Sequence, residues 1–280
     1  MKYKNGIDFI IVSYCKHDFV RLCVESINKY IGEIEYTINV VVNYLDKDKE
    51  IEIHKQLFKD NPNVKVIEGV DQSKTTNIGN NGEFTQTKTW VGKIDGCIVA
   101  SGSKYAELAN TIGIKTGNRK YICVLDQDTI LLNSGFKDLM SLSEEYFFIS
   151  NRWDPGNIFS NCKHPLPELG MARAIFWFSK RSIFEKNNLY PTCDYRDAWG
   201  NITYFAQQNN LKFLVLENSY RDRFRPNNGL WKEHLLNINH PYSEQAWLNK
   251  TPLVFHYGRG GYRKESDLIE WIKEAENYLK

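Results

Sequence analysis

No apolar run in this 280-residue chain approaches the ~20 residues that a membrane-spanning helix needs. No charge of one sign dominates either. The net charge of +2 argues against a dedicated nucleic-acid surface. No two cysteines form a C-x-x-C pair. The six, Cys15, Cys23, Cys97, Cys123, Cys162 and Cys193, are scattered. Free thiols without metal spacing point to a reducing, cytoplasmic setting, with neither structural zinc nor disulfides. The Asn-x-Thr triplets at Asn201 and Asn249 carry no meaning in such a compartment. The opening residues 1–6 lead into a strand and do not read as a signal peptide. Internal repeats and low-complexity linkers are also lacking, so one domain is expected. Aromatic residues are the opposite case: 16 Tyr, 15 Phe and 7 Trp supply material for a sizeable core.

Taken in order, the chain reads β-α-β-α-β. Residues 7–14 are a strand, 18–30 a helix with apolar residues at helical spacing, and Gly32 its stop. Residues 38–42 form a second strand ending at Asn43. Residues 48–60 give a charged helix, and 64–67 a third strand. This is the rhythm of a parallel, nucleotide-binding α/β sheet. Residues 70–93 break it with a turn-rich loop or hairpin. A helix over 103–116 follows, stopped by Gly117 and Asn118. Later expectations are a helix at 136–142, strands at 146–150 and 171–178, a helix at 180–187, a helix up to about 209, and strands at 212–216 and 253–257. Residues 151–168 and 218–250 read as irregular. A tail from Ser266 reads as an amphipathic helix with Leu268, Trp271, Ile272, Ala275 and Leu279 on one face. That stripe suits packing on the core; peripheral attachment to a membrane is its other use.

The organising stretch is Tyr121-Ile122-Cys123-Val124-Leu125-Asp126-Gln127-Asp128. A short apolar run of strand formers, bounded by polar residues, suits a strand buried on both faces. It ends in two carboxylates one residue apart. Ligands in open α/β sheets bind beyond the carboxyl ends of strands. Two hard oxygen ligands there suit Mg²⁺ or Mn²⁺, which bind through one or two carboxylates plus substrate phosphates. A strand-ending turn or a helix cap is the plain alternative. A second D-x-D, Asp46-Lys47-Asp48, lies in a charged run that reads as a solvated loop.

With these pieces in order the chain resembles a family 2 glycosyltransferase of the GT-A fold. The resemblance is carried first by residues 107–117, Glu-Leu-Ala-Asn-Thr-Ile-Gly-Ile-Lys-Thr-Gly, followed by the Asp126 strand and Ile130-Leu131. Ile10-Ile11-Val12-Ser13-Tyr14 with the helix through Cys23-Val24-Glu25-Ser26-Ile27 resembles the family's opening. Gly170-Met171-Ala172-Arg173 through Phe178-Ser179-Lys180-Arg181 resembles its glycine-led strand and helix. His256-Tyr257-Gly258-Arg259-Gly260 resembles its late histidine-glycine segment. Three positions depart from the family pattern: Asn43 replaces the second-strand aspartate, Ala109 replaces an arginine, and the later acidic motif is represented only by Asp194 and Asp197.

The resemblance implies a nucleotide-sugar-binding half over about 1–133, an acceptor half over about 134–263, and a C-terminal helix over 264–280. It implies an inverting, metal-dependent hexosyl- or deoxyhexosyltransferase. Such an enzyme moves a sugar from a UDP-, GDP- or dTDP-sugar to a glycan or glycoconjugate acceptor, as in building a polysaccharide or glycoprotein glycan. Asp128 would hold the Mn²⁺ or Mg²⁺. Asp126 would share it or face the ribose or sugar. His256 is a third ligand, a diphosphate contact or a core histidine. Arg259 and Arg263 would clamp phosphates or form a solvated basic tail. Ser13, Tyr14 and Asn43 would meet the base, and Asn110 and Lys104 the ribose or phosphate. Asp197 is the expected base, with Asp194 in reserve; either could simply cap the following helix. Trp153, Trp177, Trp199 and Trp231 could stack on an acceptor sugar, although tryptophan is mostly a core residue. A different class of reading is a catalytically inactive GT-A-like module that binds a glycan or partner. A haloacid-dehalogenase phosphatase fits less well, because Thr129 follows Asp128 one residue too early.

Overall fold

A computed structural model describes residues 2–14, 16–72, 83–84, 90–94, 97–154, 170–192, 199–220, 244–257 and 265–280. Its centre is a seven-stranded sheet. Strands β1 (Lys4–Ser13), β2 (Tyr36–Tyr44), β3 (Val64–Asp71) and β7 (Arg119–Asp126) are mutually parallel. Beyond β7 lie the antiparallel β10 (Met171–Lys180), then β9 (Ile149–Asp154) and β11 (Leu214–Val215). The order across the sheet is β11-β9-β10-β7-β1-β2-β3. The expected mixed α/β class, a mostly parallel sheet flanked by helices, is the observed one.

The pleat explains why both faces are covered. Ile7, Phe9 and Ile11 of β1, with Tyr121, Cys123 and Leu125 of β7, point to one face. There they meet Val20, Cys23, Val24 and Ile27 of α1 (His17–Tyr30) and, from α2 (Lys47–Leu57), Ile51 and Leu57. Ile10, Ile122 and Val124 point to the other face, against Ala109 and Ile114 of α3 (Ser101–Thr116). Strands apolar on both faces and interleaved with helices give a doubly covered sheet. Helix α1 stops at Gly32, whose φ of +66° is the left-handed conformation that glycine adopts without a Cβ penalty. The second D-x-D is a helix start: the Asp46 side chain accepts from the Lys49 N–H at 3.2 Å and caps α2.

Helix α3 approaches the sheet through Gly113, where a Cβ would stand 2.5 Å from Ile10 Cγ2 and 3.2 Å from Val41 Cγ2. Both neighbours are fully buried branched side chains with no room to retreat. Gly113→Val is therefore expected to destabilise the protein by about 1–3 kcal/mol. A urea unfolding midpoint equal to wild type would refute this close packing.

A second, antiparallel sheet has the order β12-β13-β14-β8, from β12 (Glu217–Tyr220), β13 (Glu244–Leu248), β14 (Thr251–His256) and β8 (Thr129–Leu131). Helix α7 (Glu265–Leu279) buries Trp271 and Ala275 against Phe19 and Leu22 of α1, Ile130, and Phe255 and Tyr257. Helices α4 (Phe136–Leu142), α5 (Ser182–Asn187) and α6 (Gly200–Gln208) complete the frame. Segment 83–100 contributes three short strands, β4 (Glu83–Phe84), β5 (Trp90–Ile94) and β6 (Cys97–Ala100), paired antiparallel. The hairpin alternative is the observed one for these residues. No described helix is long and apolar enough to cross a membrane.

Several expectations need correcting. Residues 151–154, expected to be irregular, complete β9, and the third strand runs past 67 to Asp71, because pairing with β2 extends it. Residues 218–250 are not irregular throughout, because they contain β13 and most of β12. Segment 244–248 reads poorly as a strand because it begins Glu-Gln, yet Glu244 and Gln245 are both buried. Tertiary placement, not propensity, makes this a strand. The expected strand at 146–150 begins three residues later, at Ile149. Phe147 is occupied by a backbone bond from its N–H to the Lys212 carbonyl at 2.7 Å. Trp177 and Trp199 are core residues packed together with tilted rings, centroids 4.6 Å apart. Trp153 lies on Phe213. Cys23 and Cys123 are buried free thiols.

Candidate functional site

Strand β7 delivers Asp126 at its carboxyl end, in register with Val12 of β1. The chain turns through Gln127 and Asp128 and immediately starts β8. Thr129 pairs with His256 of β14, and His256 pairs on its other side with Glu244 of β13. The Tyr257 N–H donates to the Asp128 carbonyl at 2.9 Å. This cross-strand row brings together groups that are 128 residues apart in sequence. His256 Nε2 lies 3.1 Å from Asp128 Oδ1 and 3.8 Å from Asp126 Oδ2. One ligand atom from each of the three residues falls within 4.8 Å of the others. Two carboxylate oxygens and an imidazole nitrogen suit Mn²⁺, and the oxygens also suit Mg²⁺.

Behind His256 stands Glu244, which the sequence does not single out. Its Oε2 lies 3.6 Å from His256 Nδ1 and 3.5 Å from Arg152 Nη1. Its Oε1 accepts from the side-chain amides of Asn151 and Asn218. A carboxylate behind a ligating histidine fixes the ring and raises its basicity. The signal that could find it is the register itself, because cross-strand pairing puts Glu244 beside His256.

Gln127 is a second addition. It accepts from the Tyr14 N–H at 2.9 Å and donates to the Tyr14 carbonyl at 3.3 Å. The residue between the two aspartates thereby ties the end of β1 to their turn. Ser13 is buried, with its Oγ 2.8 Å from His54 Nε2. Asn43, at the end of β2, uses its carbonyl to accept from the Val70 N–H at 2.8 Å and its amide to donate to the Tyr105 carbonyl at 3.4 Å. Asn110 is buried on α3, and among the described residues its Oδ1 has no hydrogen-bond partner. Lys104 belongs to the first turn of α3, and its side chain is outside the described residues. Asp194, Asp197, Arg259, Arg263 and Trp231 also lie outside them.

The electrostatics are those of a carboxylate cluster around one base. Burial alone pulls His256 down. Asp128 and Glu244 outweigh it and raise its pKa from 6.5 to about 10. The ring is then an imidazolium without a metal. Asp126 is pushed upward, first by lost hydration, with His256 opposing and Asp128 and Glu244 adding. Its side chain is 53% exposed, so solvent screens this shift. A histidine whose folded pKa is raised stabilises the fold fully below its unfolded pKa and loses that contribution as pH rises through the folded value. The metal-free protein is thus expected to melt at falling temperature between about pH 6.5 and 10. His256→Gln should flatten that slope; an unchanged slope would remove His256 as its source.

The fold and the cluster together define an α/β protein with a carboxylate–imidazole centre at the carboxyl end of a parallel strand. No family model matches the sequence, and no curated protein matches it. Among solved structures, S. aureus TarS 1-349 is similar at 13% identity and a TM-score of 0.46, over 75% of this chain and 58% of that one. The same protein in complex with UDP-GlcNAc gives a TM-score of 0.42. The mannosyltransferase PcManGT from Pyrobaculum calidifontis, in complex with GDP-Man and Mn²⁺, gives 10% identity and 0.49, over 76% and 55%. The chain spans less than two thirds of the length of each of these proteins. Likenesses this loose carry no residue role or substrate to this chain.

Proposed function

We propose that the chain is a nucleotide-sugar-dependent glycosyltransferase of the GT-A type. The observation that supports this most is the convergence of Asp126, Asp128 and His256 at the carboxyl end of β7, beside the end of β1. That edge is where open α/β sheets bind ligands. Asp128 and His256, with Asp126, would hold Mn²⁺ or Mg²⁺, whose chemistry there is neutralising the charge of a departing diphosphate. Glu244, 3.6 Å behind His256 Nδ1, would hold the protonated ring by its charge. Gln127 keeps the Tyr14 backbone beside the aspartates, which suits a nucleobase lying against Tyr14 and the edge formed by Ser13 and Asn43. Asn110 and Lys104 would serve the ribose or phosphates, and Arg259 and Arg263 the diphosphate.

The reaction is a single inverting displacement. The acceptor hydroxyl attacks the anomeric carbon while Asp197, or Asp194 in its place, takes the proton. The acceptor is a glycan or glycoconjugate, and segments 70–93 and 151–168 would shape its pocket.

The test is a thermal-shift series with UDP-, GDP-, dTDP- and CMP-sugars, each with and without Mn²⁺. A ligand that binds only the native state raises the melting temperature by mass action. One nucleotide raising it only with metal fixes the donor and supports the reading. No shift with any nucleotide under either condition overturns it.

A further inference from the structure

A second group of ligating side chains shares no residue with the aspartate cluster. His17 stands in the first turn of α1, and Glu50 and His54 lie one turn apart on α2. His17 Nε2 is 2.9 Å from Glu50 Oε2. The two imidazole rings meet edge-on with centroids 5.1 Å apart. One ligand atom from each of the three residues falls within 4.8 Å of the others.

His54 is the informative member. It is fully buried. Its Nδ1 lies 2.7 Å from the Glu50 carbonyl oxygen. A carbonyl can only accept, so Nδ1 carries the hydrogen and Nε2 carries the lone pair. That lone pair accepts from the Ser13 hydroxyl at 2.8 Å, and the ring stands edge-on to His17. An imidazole with Nδ1–H fixed by a carbonyl and Nε2 turned inward is the arrangement that orients metal-ligating histidines. Ser13 Oγ adds a neutral oxygen next to it.

We propose that His17, Glu50 and His54 form a binding site for a divalent transition-metal ion of the Zn²⁺ class. Two imidazole nitrogens and one carboxylate oxygen are a donor set that Zn²⁺ accepts with a fourth oxygen from water or a hydroxyl. Binding would break the His17 Nε2–Glu50 hydrogen bond, the Nε2 proton passing to Nδ1 or to solvent, and would turn the Ser13 hydroxyl hydrogen away from His54 Nε2. The ion would tie the first turn of α1 to α2 across the end of β1. Ser13 directly precedes Tyr14, which Gln127 anchors to the Asp126–Asp128 turn. The site would therefore stiffen the strand end on which the candidate active site rests. It depends on none of the transferase reading.

The experiment uses Zn²⁺ alone on the full chain stripped of metal, with bound ion counted after gel filtration. Co²⁺ absorbance serves as a second readout, since an imidazole-ligated Co²⁺ of low coordination absorbs visibly. The Asp128→Asn background removes the other candidate centre. That protein is expected to retain one Zn²⁺, and His17→Gln or Glu50→Gln added to it should abolish retention, weakening binding by more than about tenfold. Both substitutions are at partly exposed positions, and the melting temperature without metal checks that each variant folds. In the wild-type background each should lower the ion count by one and remove the Zn²⁺-dependent rise in melting temperature, which covers the case that Asp128→Asn misfolds. Equal Zn²⁺ retention by the His17 and Glu50 variants and their parents, in either background, overturns the proposal.

Discussion

Asp128→Asn is expected to lower kcat for sugar transfer and donor hydrolysis by about 10²–10³-fold, with the melting temperature only modestly changed. The magnitude follows from removing one preorganised electrostatic group at a leaving diphosphate. The side chain is small, lies in a turn with 14% of its surface exposed, and keeps its shape as Asn. Its backbone carbonyl still receives the Tyr257 N–H, so the β8–β14 pairing that builds the site survives. What changes is charge: the closest partner of His256 Nε2, at 3.1 Å, becomes neutral. His256 then loses the first of the two carboxylates that raise it. The variant should also need more Mn²⁺ for half-maximal rate. Steady-state rates across a Mn²⁺ series on wild type and variant measure both effects. Wild-type kcat with unchanged Mn²⁺ dependence would remove Asp128 from the chemistry, and with it the metal-assisted reading.

Much of the frame was legible because its signals are local. Strand β7 announces itself as an apolar run ending in polar residues, and α1 by helical spacing closed at Gly32. Phe136–Leu142 is the helix that its pattern suggests. The two aspartates stand at a strand end, as the sequence alone indicates. The apolar stripe of the tail helix packs on the core through Trp271 and Ala275.

What stayed hidden depends on pairing between distant segments. No local signal says that Thr129 and Glu244 flank His256, yet this row places a second carboxylate 3.6 Å behind the imidazole. Glu244 looks like an exposed acid at the start of a loop, and its burial becomes visible only when β13 is seated between β12 and β14. Gln127 passes for a spacer between two carboxylates until its amide is seen gripping the Tyr14 backbone. Asn43 reads as a ligand-facing polar residue at a strand end, but its amide bonds to Val70 and Tyr105 link β2 to β3 and α3. His54 carries no motif at all and is found only through the packing of α2 against the end of β1.

The largest stability effect is expected away from the aspartates, where β7 starts and β10 ends. Arg181 Nη2 lies 2.6 Å from Asp8 Oδ2, and both side chains are 2% exposed. The guanidinium also donates through Nε to the Arg119 carbonyl at 2.7 Å and through Nη1 to the Ile114 carbonyl. Asp8 Oδ2 accepts in addition from the Arg119 N–H at 2.7 Å. One buried pair therefore joins the starts of β1 and β7, the end of α3 and the end of β10. Gly117 makes room for it: a Cβ there would stand 2.3 Å from Asp8 Oδ2 and 2.4 Å from Arg181 Nη2. Arg181→Met keeps much of the volume but leaves a buried carboxylate without its counter-charge and two carbonyls without their donor. The expected cost is about 3–5 kcal/mol, on the order of a 10 °C drop in melting temperature for a chain of this size. The sign of the second substitution is the sharper test. Adding Asp8→Asn to Arg181→Met removes the stranded charge, so the double variant should be more stable than Arg181→Met alone. A double-mutant cycle by chemical denaturation reads this coupling directly. Strict additivity of the two losses would mean that the pair contributes nothing beyond its separate hydrogen bonds, and that the clamp between the β1 and β10 ends lies elsewhere.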